Sequence, residues 1–141
     1  LGVVSAPAKG LLFTGAGPDT ARGGNLGEDL RPIASRPSPA GGIVVLTSRS
    51  HGSSRSVSEY LDGLLVAERR LIGSSLKFCL LAEGAADLYP RFGNTCEWDT
   101  AAGQAVLEAA GGSVVTLDGA PLRYGKKGFL NPAFIARGRV P

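Results

Sequence analysis

The sequence predicts a layered α/β domain, and three observations carry that prediction. Strand-like and helix-like segments alternate along residues 43–117, the order that places helices on the faces of a sheet. The run Ile43-Val44-Val45-Leu46 is continuously apolar and β-branched at three of four positions, as in strands buried on both faces of a parallel sheet. Residues 97–112, EWDTAAGQAVLEAAGG, form a helix pattern built from small side chains and closed by two glycines.

The elements follow in order. Residues 1–14 read as two short strands, LGVVSAP and LLFTG, joined at Ala8-Lys9-Gly10 in a hairpin-like turn. Residues 15–42 are dense in Gly, Pro, Asn and Asp, which favours loop and extended chain, with a short edge strand near 30–34. The boundary falls there. Residues 1–40 are expected to be strands and loop left from a preceding N-terminal α+β domain, and residues 41–141 a compact α/β unit. That unit opens with the strand at 43–48. A helix is expected over 56–67, where Ser56 and Glu59 have the spacing of a capping box, then a strand over 69–72. Residues 74–83 form a helix apolar on nearly every face, through Leu76, Phe78, Cys79, Leu80, Leu81 and Ala82. Residues 86–92 alternate, with Pro90 marking a strand end or an edge. A helix over 99–110 stops at Gly111-Gly112, and a strand over 113–117 turns at Asp118-Gly119, the last element that patterning assigns. There is no internal repeat.

Composition excludes several classes of function. A chain of 141 residues, 43% hydrophobic, suits one domain that buries about two-thirds of its unfolded surface. The 15 Lys and Arg against 12 Asp and Glu form no basic block, which argues against a nucleic-acid polymer or a membrane surface as partner. Cys79 and Cys96 lie in no zinc-binding pattern and imply no disulfide framework. No apolar stretch approaches the ~20 residues of a membrane span, and no signal segment opens the chain; a cytoplasmic location is expected. The chain contains no Met, which suggests a part of a longer protein. The glycine-rich stretches match neither a phosphate-binding loop nor a dinucleotide fingerprint, and no GxSxG nucleophile motif occurs.

Five residues are candidates for chemistry. Asp99 stands at the predicted start of its helix, where Asp is a favoured cap. Gly103 in the next turn costs about 1 kcal/mol relative to Ala, so Ala101-Ala102-Gly103 suggests a very close packing partner. Ser74 would cap its helix, yet the position three residues on, usually Glu in a capping box, holds Lys77. A cation in the first turn opposes the helix dipole. Either the lysine extends into solvent or a bound anion resolves the conflict, since helix amides, a hydroxyl and an ammonium together make a phosphate site. Arg91 at a strand end either pairs with a surface acid or grips phosphate through its planar fork. His51, the only histidine, follows the strand at 43–48, and ligands of open α/β sheets bind beyond the carboxyl ends of strands; a loop histidine with no partner is the plain alternative. Asp87, Glu97 and Glu108 read as packing or surface charges.

The motifs WDTAAG and EAAGG at residues 98–112, with GSSLKFCLLAEGAADLYPRFG at 73–93, resemble the inositol monophosphatase superfamily, and within it the CysQ-type 3′(2′),5′-bisphosphate nucleotidases. The resemblance is strong over residues 43–117 and looser at LGVVSAP and LLFTGAG. It implies the C-terminal α/β/α layered domain of the inositol monophosphatase and fructose-1,6-bisphosphatase-like fold. It also implies a Mg2+-dependent phosphoric monoester hydrolase that converts adenosine 3′,5′-bisphosphate to AMP and phosphate, clearing a by-product of sulfate assimilation. In the family's pattern Asp99 matches a magnesium ligand, Ser74 and Lys77 a substrate-binding Ser-x-x-Lys, and His51 a substrate contact. Arg91 stands where inositol monophosphatases commonly carry an acid, which favours a second phosphate over sugar hydroxyls. The resemblance also admits a peripheral association with the inner membrane.

The family's DPxDGT metal motif and its upstream Glu ligands match nothing in this sequence. The expectation is therefore a part of an enzyme that is inactive alone, with exposed apolar surface through which a homodimer could form. Two alternatives stay open: an inositol or other sugar monophosphatase of the same superfamily, and a non-catalytic nucleotide-binding or interaction module.

Overall fold

The computed structural model describes residues 1–48 and 54–139. Residues 2–32 form a four-stranded antiparallel meander: β1 (Gly2–Ala6), β2 (Leu11–Gly15), β3 (Arg22–Asn25) and β4 (Arg31–Pro32), in that spatial order. The expected hairpin is present, with Val4 opposite Phe13. Its connection is a 3-10 turn over Pro7–Lys9 that ends on Gly10 at φ 65°. β3, the sequence RGGN, was not expected, because two glycines read as loop. They serve packing instead: a Cβ on Gly23 would lie 2.7 Å from the Phe13 ring, so the strand needs a glycine where the buried Phe13 crosses it.

The second sheet has five strands in the order β6–β5–β7–β11–β9. β5 (Ile43–Thr47) lies parallel between β6 (Val66–Leu71) and β7 (Leu88–Arg91), and its Val45 and Leu46 are fully buried on opposite faces. β11 (Phe134–Arg137) runs antiparallel to both β7 and β9 (Ser113–Thr116). This inner strand lies beyond the last element that patterning assigned. Its short apolar run Phe134-Ile135-Ala136, completely or almost completely buried, is a signal for it.

Helix α1 (Ser54–Tyr60) covers one face of the sheet, where Val57 and Leu61 pack with Val45, Leu88 and Ile135. The other face meets α2 (Leu76–Ala82) and α3 (Glu97–Ala109), with Phe78, Leu81, Val106 and Leu107 against Leu46, Val114 and Phe134. The meander packs on α3 as well, so that Val4 and Phe13 belong to the same core. The expected layered α/β architecture is observed.

Several boundaries differ from expectation. The helix expected over 56–67 ends at Tyr60, and Gly63 at φ 79° turns the chain so that Val66 and Ala67 begin β6. Ser56 lies inside α1 rather than capping it, and Glu59 accepts from Arg55 Nε at 2.9 Å. The helix at 74–83 begins later, at Leu76, because Ser74 has a left-handed backbone, φ 64°. α3 begins at Glu97, two residues before Asp99.

Close approach explains the small residues of α3. A Cβ on Gly103 would lie 2.5 Å from Phe78 Cδ2, one on Gly15 2.7 Å from Ala109 Cβ, and one on Gly2 would run into the Ala102 carbonyl. The partner that the Ala-Ala-Gly run called for is therefore the Phe78 ring of α2. A separate brace ties residues 35–36 to the core. The almost fully buried Asp87 carboxylate accepts two bonds from Arg36, at 2.8 and 2.9 Å, and a third from the Val44 N–H at 2.7 Å. That ion pair holds the Arg36 guanidinium above its ordinary pKa. Ser35 donates both its N–H and its hydroxyl to the Ala110 carbonyl at the end of α3, each at 2.9 Å.

Gly103→Ala separates packing from propensity. In an open helix this change gains about 1 kcal/mol, whereas overpacking a tight core costs about 1–3 kcal/mol. The variant should unfold at lower urea concentration than wild type; an increase in the midpoint would show that Phe78 leaves room.

Candidate functional site

The C-terminal ends of β5 and β7, the start of α2 and the first turn of α3 enclose a cavity of about 460 Å3. Ser74, Lys77, Arg91 and Asp99, taken from three separate segments, all line it. His51 lies outside the described residues.

Lys77 does not extend into solvent; it is turned into the cavity wall. It is 3% exposed, and its ammonium donates to the carbonyls of Ser74 (2.8 Å) and Ile72 (3.2 Å) while lying 4.6 Å from the centre of the Tyr89 ring. The left-handed turn at Ser74 presents one of those carbonyls. Ser74 also accepts the Leu76 N–H on its own hydroxyl, at 3.3 Å. Burial, reinforced by the nearby Arg91 charge, pulls the Lys77 pKa down to about 8. Burial likewise raises the pKa of Tyr89.

Arg91 is held by acceptors that carry no full charge. Nη1 donates to Ser48 Oγ at 2.7 Å, Nη2 to the Asn94 carbonyl at 3.0 Å and Nε to the Gly93 carbonyl at 3.1 Å. Ser48, which no sequence motif singled out, thus positions the guanidinium. Among the described residues neither Lys77 nor Arg91 forms an ion pair with Asp or Glu.

Asp99 is the third residue of α3, not its cap. Cys96 occupies the cap, and Asp99 Oδ2 accepts the Cys96 N–H at 2.8 Å in a reciprocal capping box. Asp99 is also exposed at the cavity. An oxygen donor there suits a hard cation that retains waters and contacts phosphate. Among the described residues no three His, Cys, Asp or Glu side chains cluster. Asp99 offers a single carboxylate, which does not make a metal site alone.

The floor behind Asp99 is a polar network on Thr100, which is 1% exposed. Asn131 donates to Thr100 Oγ1 (3.0 Å), to the Cys96 carbonyl (2.9 Å) and to Thr95 Oγ1 (3.2 Å). These bonds join β8 (Thr95–Cys96) to β10 (Leu130–Asn131), which pair antiparallel. Glu97, expected to be a packing charge, clamps the chain leading to β10. It accepts the N–H groups of Gly125 and Lys126, both at 2.9 Å, and the Lys126 ammonium at 2.7 Å. The bonds from Lys126 first, and then that from Gly125, hold its pKa down at about 2.

The model of the inositol monophosphatase family matches residues 1–139. The chain belongs to that family. It is 44% identical over 136 residues to the 3′(2′),5′-bisphosphate nucleotidase CysQ of Escherichia coli K12, which covers 95% of this chain and 53% of that protein. A 73-residue segment is 71% identical to an uncharacterized protein in the pss 5′ region of Rhizobium leguminosarum bv. phaseoli, covering 48% of this chain and 77% of that one. The crystal structure of CysQ from Bacteroides thetaiotaomicron, also a member of the family, superposes with a TM-score of 0.79 at 33% identity, over 99% of this chain and 58% of that one. The chain thus spans about half the length of the curated nucleotidases it matches. Among the described residues no helix is long and apolar enough to cross a membrane.

Two predictions follow the charges. Sulfate keeps its own charge across the alkaline range, so only the protein titrates. If the protonated Lys77 amine is the form that binds it, its affinity should be flat below the Lys77 pKa of about 8 and fall above it, by up to about tenfold per pH unit. Calorimetry on Lys77→Met should show weaker and flat binding; an unchanged profile would remove Lys77 from the site. Glu97 works with the opposite sign. Its folded pKa lies below the ordinary 4.5, so its stabilisation is complete above that value and lost as pH falls toward about 2. The difference in melting temperature between wild type and Glu97→Gln should therefore hold above pH 4.5 and shrink progressively below it.

Proposed function

We propose that this chain is the substrate-binding part of a magnesium-dependent 3′(2′),5′-bisphosphate nucleotidase that hydrolyses adenosine 3′,5′-bisphosphate to AMP and phosphate. The observation that carries the reading is the pair of cations in one cavity. Lys77 and Arg91 are close enough that Arg91 depresses the Lys77 pKa, and no carboxylate pairs with either among the described residues. A ligand with two phosphate groups relieves that repulsion. The 44% identity to a protein named for this activity supports the same choice.

In this reading Ser74 and Lys77 bind one phosphate, and Arg91, aimed by Ser48 and the carbonyls of residues 93 and 94, receives the other. His51 contributes a further substrate contact. Asp99 gives one oxygen to a magnesium ion whose remaining protein ligands come from outside this chain; such an ion activates water and neutralises the leaving oxygen. One carboxylate cannot organise that chemistry, so the chain alone binds the nucleotide and does not turn it over. Residues 1–40 act with the rest of the enzyme's N-terminal domain, and residues 41–141 hold the substrate. The product chemistry fits removal of a sulfate-assimilation by-product in the cytoplasm. Inositol 1-phosphate is the second reading; the family match favours it and Arg91 opposes it.

The decisive comparison is phosphate release by the complete gene product with magnesium, offered adenosine 3′,5′-bisphosphate or inositol 1-phosphate. Preference for the nucleotide is expected, and preference for the inositol ester would overturn the substrate assignment. Arg91→Met should weaken the bisphosphate roughly 10- to 100-fold, as expected for loss of a charge-assisted phosphate contact, while barely changing AMP. Equal losses for both ligands would show that Arg91 does not read the second phosphate.

A further inference from the structure

Tyr89 touches both cations of the cavity, and the phosphate contacts leave it without a task. It is 4% exposed yet lines the cavity, on β7, two residues before Arg91. Side chains two apart on a strand share a face, so Tyr89 and Arg91 project to the same side of the sheet. The adjacent strand brings Ser48 there as well. β5 and β7 run parallel with Val45 beside Leu88. Continued along both chains, that register reaches Ser48 and Arg91, whose side chains are bonded at 2.7 Å.

The tyrosine works at both ends. Its ring carries the Lys77 ammonium, 4.6 Å from the ring centre. Burial raises the pKa of its hydroxyl, while the Arg91 charge and a side-chain hydrogen bond with Ser48 draw it back. The hydroxyl therefore stands beside the pair that aims Arg91. Ser48 Oγ accepts from Arg91 Nη1, and a serine hydroxyl otherwise rotates to suit whatever partner it meets; Tyr89 supplies that partner. The ring is itself locked. Phe78 and Phe134 meet it at 77° and 88° between planes, with centres 5.4 and 5.6 Å away, and close packing holds such a ring in one orientation. Two long side chains of like charge would otherwise spread over many rotamers.

We propose that Tyr89 is a positioning residue for substrate binding: its ring seats the Lys77 ammonium, its hydroxyl steadies Arg91 through Ser48, and one rigid side chain thereby sets the spacing of the two phosphate contacts. The proposal rests on the nucleotidase reading above and adds to it the group that makes the two contacts a single unit. Tyr89 acts through Lys77 and Arg91 rather than on the phosphates.

Removing the hydroxyl and removing the ring separate the two ends. Calorimetry on the 141-residue chain compares adenosine 3′,5′-bisphosphate with AMP. Tyr89→Phe keeps the ring and should weaken the bisphosphate roughly 3- to 10-fold, the range of one lost hydrogen bond, and AMP less. In an Arg91→Met background the same change should cost the bisphosphate nothing further, because the group it steadies is gone. A merely loosened core would weaken binding by the same factor in both backgrounds. Tyr89→Leu removes the ring as well and should weaken AMP roughly 3- to 30-fold, as expected for a lost cation–π contact, a loss absent when Lys77 is replaced by Met. Should Tyr89→Leu fail to fold, the Tyr89→Phe cycle decides. Equal losses for both ligands on Tyr89→Phe, the same loss with and without Arg91, or binding indistinguishable from wild type would each overturn the proposal and leave the nucleotidase reading standing. If a wild-type chain shown by circular dichroism to be folded binds neither ligand, or prefers AMP, that reading falls and the proposal with it.

Discussion

The fold depends on how closely other elements approach α3. This helix lies between the meander and α2, and on each side a glycine brings the backbones together. Gly103 admits the Phe78 ring, while Gly2 and Gly15 of the meander admit the helix's own Ala102 and Ala109. Side chains at those points would separate the layers and move α3 outward. Because Asp99 and Trp98 sit on its first turn and Lys77 on the neighbouring α2, the width of the cavity follows from these contacts. Helix propensity is sacrificed locally to set a distance.

The second organising feature is how the fold holds positive charge. Holding a buried lysine beside a half-buried arginine is costly unless their donors are satisfied. Carbonyls of Ile72, Ser74, Gly93 and Asn94 do that, with the Ser48 hydroxyl and the Tyr89 ring. Carbonyl oxygens are dipoles and leave the net charge in place, where a carboxylate would cancel it. The same fold uses a carboxylate where charge is to be cancelled, as at Asp87 and Arg36, neither of which lines the cavity. The cavity therefore keeps two cations that no carboxylate pairs with among the described residues, alongside the exposed Asp99.

Much of this was legible in the sequence, and the failures have physical causes. The alternation of strand and helix signals predicted the layers, and the Ala-Ala-Gly run predicted a close neighbour, because both depend on local pattern. Ser74, Lys77, Arg91 and Asp99 emerged from local conflicts with capping and dipole rules and from motif resemblance, and the fold brings these four to one cavity. β3 escaped because its glycines answer to Phe13, a partner on another strand. Tyr89, Ser48 and the Glu97 clamp escaped for the same reason, since each acts on residues distant in sequence. Ser74 misled for a different one: its left-handed φ removes it from the helix it seemed to start, and no propensity scale marks that.

The capping box at α3 has a consequence for reading mutational data. One carboxylate, Asp99, both secures the helix start through the Cys96 amide and faces the cavity. Replacing it with alanine removes an anchor of the scaffold along with the negative charge, so lost binding would say nothing about which of the two mattered. Asparagine retains a carbonyl oxygen able to accept from Cys96 while deleting the charge. The difference between the two substitutions, rather than either alone, isolates what the carboxylate contributes to a ligand from what it contributes to the helix.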